Sequence, residues 1–343
     1  MIQSRPPEGR LVSRIAGNYP LAATYHFDAL RDDMEQITTR VSGLVPEATG
    51  LDLPGLPETL IVTRGEWVER NVASFAHMIE PARRKLEERL GEESPSAAFA
   101  KRVTDAEMSW VLAFLSRRVL GQYELVLPGG DPGDVVAYVG PNILQMERKN
   151  HFRPAEFRFW VALHELTHRA QFQGVPWLRD YFMGLVTELV ESSKPEPGRL
   201  GRIMEEVDTR KAAGLPALDD RGILGLFGSP EQNEVVDRIQ ALMSLVEGHG
   251  HVVMDRLGAD HLKSQVRMSR ILKERRLDKR TAAFFRLTGL EMKMNQYRLG
   301  EQFVLGVERE AGWDSVRLAF DAPESLPTLD EIEEPDRWLT RVA

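Results

Sequence analysis

Cysteine is missing from this 343-residue chain. Its absence excludes disulfides, thiolate nucleophiles and Cys-type metal sites together, so any metal must be held by histidine and carboxylate. It also suits a reducing compartment. Missing too is any uncharged apolar run of the roughly 18 residues needed to span a bilayer. The stretch from Met1 to Glu8 has no apolar core of the kind a secretory signal carries, so a cytoplasmic protein is expected. Nor is there an excess of positive charge: 44 Lys and Arg face 52 Asp and Glu, for a net charge of −8 and a pI near 5.6. That balance argues against nucleic acid or anionic membrane as a partner. The basic run from Arg270 to Arg280 is broken by Glu274 and Asp278 and reads as a solvated helix face. Internal repeats and low-complexity segments are absent as well.

What remains is ordinary globular material, 42% hydrophobic and 28% charged. The length exceeds a usual single domain, so one large domain or two closely packed ones are expected. Helical periodicity dominates and strand signals are few, giving a mainly α (α+β) fold with a small sheet. Amphipathic helices are expected over about 65–91 and 97–119, with strands at Tyr123–Pro128 and Val135–Val139 and a third at Ile143–Glu147. A helix opening at Pro154 should run to about Phe172, stopped by Gly174 and Pro176. Another follows from about Trp177 to Glu191, then a long loop over about 212–228 that could form a lid. Ser229-Pro-Glu-Gln232 reads as a capped start for a helix reaching about Leu257. Further helices are expected near 260–275, 279–288 and 290–310, and the proline-bearing tail from Asp321 as short surface segments. Residues 1–120 form an N-terminal helical region in this reading. Residues 121–343 carry the sheet and the remaining helices, and the two pack as one compact unit.

The chemistry concentrates in His164-Glu165-Leu166-Thr167-His168. Residues four apart on a helix lie one turn above each other, so both imidazoles can aim at one ion while Glu165 reaches a water held by it. Zinc is the natural occupant, since it accepts nitrogen and oxygen ligands and catalytic sites keep one position open. On a helical wheel both histidines share a face with Phe157, Val161 and Phe172, and two histidines among aromatics call for a partner such as an ion. A metzincin pattern would need Gly at 171 and His at 174, where this chain has Gln171 and Gly174. The third ligand is therefore sought on the helix after Ser229. Glu247 lies at the edge of its apolar stripe beside Met243, Gly250 and Met254, whereas Glu234 falls on the polar side. An inward carboxylate is costly unless paired or metal-bound, so Glu247 is the favoured ligand, with His251 and Glu234 as alternatives. Gly248 and Gly250 suit a helix that approaches another backbone closely.

Several roles stay open. His249 and His251 read as groups beside the site or as partly exposed histidines. Tyr181, Arg169, His249 and His251 are options for stabilising an oxyanion. Glu188, Asp180 and Asp255 are candidate acceptors for the ligand imidazoles. The strand Val135–Val139 could offer an edge to an extended peptide or be purely structural.

The segments His164–His168, Leu245–His249 with Val253–Asp255, Lys293–Phe303, Leu326–Ile332 and Trp338–Val342 resemble a bacterial family of provisionally labelled hydrolases and zinc-dependent metalloproteases. One branch of that family is linked to deazaflavin coenzyme biosynthesis. The resemblance runs from about Val62 to the C-terminus. It implies a mainly helical metallopeptidase-like fold, Zn2+ held by His164, His168 and Glu247, and Glu165 as base. The expected function is a zinc hydrolase acting on a peptide or small amide. The alternatives are a small amide or ester hydrolase in cofactor metabolism and a non-catalytic metal-binding scaffold.

Overall fold

A computed structural model describes residues 20–90, 111–130, 133–191, 230–276 and 292–342. It is mainly helical with one three-stranded sheet. The expected lid over 212–228, the cap at Ser229, the helix near 279–288 and most of the one near 97–119 lie outside those residues. The chain divides into two units. One comprises Met1–Pro176 with Asp260–Lys263, and the other Trp177–Ala259 with Ser264–Ala343. Among the described residues no helix is long and apolar enough to cross a membrane.

In the first unit the sheet is built from β1 (Glu58–Val62), β2 (Gly121–Tyr123) and β3 (Val135–Val139), in the order β1-β3-β2. β3 is central, parallel to β1 and antiparallel to β2. All five of its residues are buried, as a strand covered on both faces must be. Ala137 and Val139 face a cluster with Val62, Trp67 and Val68, so helix α3 (Arg64–Leu90) covers one face. Tyr138 points the other way, where its hydroxyl meets Thr38 Oγ1 at 3.1 Å on helix α1 (Tyr25–Ser42). The short helix α2 (Val45–Thr49) follows α1.

Three expectations change here. Ile143–Glu147 is not a strand but part of helix α4 (Gly140–Asn150), opened by Pro141 in its first turn. Five residues, Ile-Leu-Gln-Met-Glu, are too few for periodicity to separate the two states. The third strand is β1 instead, a Thr-Leu-Ile-Val run behind the Pro54-Gly-Leu-Pro57 turn. β2 stops at Tyr123, though Glu124 N still donates to Val135 O at 2.9 Å, and the chain then enters the Gly129-Gly130 turn.

The motif helix, α5, spans Pro154–Gly174 and is buried almost all round. Two charged clamps hold it. Near its start Arg158 donates to both oxygens of Glu147 on α4, at 2.7 and 3.0 Å, and to Asp33 on α1. Near its end the fully buried Arg169 donates to both oxygens of Asp134 and to the carbonyls of Pro54 and Gly55.

The second unit contains α6 (Leu178–Glu191), α7 (Pro230–His261, as far as Ala259), α8 (Gln265–Arg276) and α9 (Met292–Ala311). Helices α7 and α9 meet at glycine. A Cβ on Gly248 would lie 2.1 Å from the Gly300 carbonyl carbon, so only two glycines allow this approach. That bears out the expectation for Gly248. The tail is a set of short helices, including α10 (Leu329–Glu333) and α11 (Pro335–Val342). It does more than wrap the surface: Trp338 is fully buried against Phe303 and donates to Ser325 O at 2.7 Å.

Candidate metal centre

α5 brings His164 and His168 together as their spacing requires. Their Nε2 atoms lie 3.2 Å apart and the rings meet edge to face. Two nitrogens bound about 2.0–2.1 Å from a tetrahedral zinc would sit roughly 3.3 Å apart, so the pair fits such an ion. Both rings are half-buried. His168 Nδ1 lies 2.9 Å from Gln171 Oε1 on the next turn. An amide oxygen only accepts, so Nδ1 carries the proton and Nε2 presents its lone pair, which is the form a metal needs.

Gln171 is the functional residue that sequence reasoning passed over. It entered only as the residue that spoils a metzincin pattern, yet its place one turn beyond His168 was a usable signal. In the second unit Glu188 pairs with Arg238 at 2.8 Å, Asp255 accepts from Gln265 at 2.7 Å, and Asp180 is exposed.

Glu165 is 4% exposed. Its carboxylate rests over Gly121 of β2, and its charge also reaches Tyr138 on β3. Burial pushes the Tyr138 hydroxyl well above its ordinary range, against the opposing hydrogen bond from Thr38 and with help from the Glu165 charge. Tyr138 is therefore a neutral hydroxyl at any working pH.

Two roles left open by the sequence are closed. Arg169 is taken up by Asp134 and the loop carbonyls, a structural duty. The strand Val135–Val139 offers no edge, because it is paired on both sides. In the second unit Glu247 is buried and Glu234 exposed, following the helical phase. His249 and His251 are buried rather than partly exposed. His249 stacks on Trp313 at 5.7 Å between ring centres and meets Phe320 edge to face.

The solved structure of a Chloroflexus aurantiacus protein, provisionally described as a hydrolase with a novel fold, superposes with a TM-score of 0.72. It shares 28% sequence identity, covering 97% of each chain. No curated protein matches the sequence. That structural likeness does not bear on deazaflavin chemistry. The zincin-like metallopeptidase family matches over residues 11–339, nearly the whole chain. With the paired imidazoles on α5, this chain belongs to the zincin-like metallopeptidase family, and zinc hydrolysis is its type of chemistry.

Proposed function

We propose that the chain hydrolyses a peptide or a related amide, using zinc held by His164, His168 and Glu247, with Glu165 as the general base. The observation that carries this reading is the convergence of two imidazole nitrogens at 3.2 Å, one of them set in its metal-ready tautomer by Gln171. Membership of a metallopeptidase family supports the peptide or amide bond as the target. Glu247 is named because helical phase turns its carboxylate, a donor that zinc accepts, to the buried side of its helix while Glu234 stays exposed.

Zinc held by these residues would make a bound water acidic enough to supply hydroxide near neutral pH and would polarise a carbonyl. Glu165, next to the pair in sequence and shielded from solvent, takes the proton from the attacking water. It then returns that proton to the departing nitrogen, so one carboxylate serves both halves of the reaction.

Elemental analysis of wild type, His164→Ala, Glu247→Ala and Glu234→Ala tests the ligand set. About one zinc per chain is expected in wild type. It should be lost with the first two variants and kept with the third. Peptide and small-amide panels, with Glu165→Gln as the inactive control, then test the reaction. A wild type that binds no zinc on titration sinks the proposal.

A further inference from the structure

Gly121 stands opposite Tyr138 in the β2–β3 register. Side chains of such a cross-strand pair lie on the same face of the sheet, here the face that meets Thr38 of α1 and Glu165 of α5. A Cβ built on Gly121 would sit 2.6 Å from Cγ of Glu165, 2.7 Å from its Oε1 and 2.8 Å from its Cδ. The carboxylate thus fills the space that any other residue at 121 would claim.

The backbone does not demand glycine there, since Gly121 is not among the positive-φ glycines. The requirement is room. Glu165 is 4% exposed, so a Cβ at 121 would push its side chain off its present position within buried surroundings.

We propose that Gly121 is a positioning residue, the bare stretch of strand against which the Glu165 carboxylate is set. This rests on the reading of Glu165 as general base. Gly121 touches neither substrate nor metal ligand in this role; it acts through Glu165 alone.

The test combines Gly121→Ala with Glu165→Ala in a four-member cycle, adding Gly121→Ser for side-chain size. Zinc content, kcat, KM and melting temperature are read for each protein. Gly121→Ala should keep its zinc and its KM and lose on the order of 100-fold in kcat, as a displacement of about 1 Å does. Its melting temperature should fall in the wild-type background and fall much less in Glu165→Ala, where the clash has gone. Gly121→Ser should be worse on both counts. Wild-type kcat in Gly121→Ala, or an equal drop in melting temperature in both backgrounds, overturns the proposal. If instead the wild type hydrolyses nothing, the general-base reading falls and takes the positioning role with it. The two failures are told apart because the melting cycle still reports the contact.

Discussion

Gln171 Oε1 accepts the Nδ1 proton of His168 at 2.9 Å, so a neutral residue on the same helix, rather than a distant carboxylate, orients this imidazole. Replacing Gln171 with Leu should therefore weaken zinc binding by about 10- to 100-fold, the usual worth of such a partner. Glu at 171 keeps an acceptor and should restore most of the affinity. Competition with a chromophoric chelator measures both, and equal affinities for Leu and wild type would remove Gln171 from the site.

Arg169 gives the opposite kind of prediction. Its removal leaves Asp134 without its partner and two loop carbonyls without their donor. Losing these charge-assisted bonds from a buried guanidinium to a partly exposed carboxylate costs about 1.5–3 kcal/mol. Arg169→Ala should lose that much stability in urea unfolding, while the fraction that stays folded turns over substrate within a factor of about 3 of wild type. A stable but inactive Arg169→Ala would return this residue to the list of oxyanion stabilisers.

The glycine contact between α7 and α9 is open to the same treatment. Gly248→Ala drives a methyl group into backbone and should cost more than about 3 kcal/mol, at the top of the range for overpacking. Gly184 on α6 is the control, because a Cβ there meets nothing within 4 Å. Ala at 184 should gain roughly 0.5–1 kcal/mol from helix propensity. Chemical denaturation of the two variants side by side decides the matter.

The tail carries a pH dependence. Arg341 donates to both oxygens of Glu331, at 2.7 and 2.9 Å, and so holds that carboxyl below its usual range. A carboxyl depressed in the folded state contributes stability that is present above its unfolded value, about 4.3. The contribution is lost as the pH falls through the lower folded value. Since Arg341 is 39% exposed, solvent screens the pair and its worth is about 1 kcal/mol. Glu331→Gln should be less stable than wild type at pH 7, with the gap narrowing as the pH falls below about 4, as read by urea midpoints. A difference that persists in acid would assign the effect to the capping box of α10 instead.

How much of this was legible in the sequence differs from residue to residue. The motif helix was, because Pro154, its long apolar period and Gly174 mark it without outside help. Glu247 and Glu234 were separable in burial, since helical phase alone puts one inside and the other out. β1 was not: its residues become a strand only by pairing with β3, more than seventy positions on. Arg169 looked available for catalysis because nothing local reveals Asp134, 35 positions earlier in the chain. Gly121 was silent for the same reason. A glycine chosen for the room it leaves has no sequence signal until its neighbour Glu165 is in place.

The pairing of β1 with β3 also sets an order of events. Parallel strands so far apart in sequence can join only after a long loop has closed, which makes their pairing a slow step. β2, and with it the wall beneath Glu165, has nothing to dock on until β3 is in the sheet. The two histidines, by contrast, need only one helix. In refolding, then, a metal-affine helix should exist before a working base does. The setting of that carboxylate, unlike the histidine pair, is complete only with the sheet.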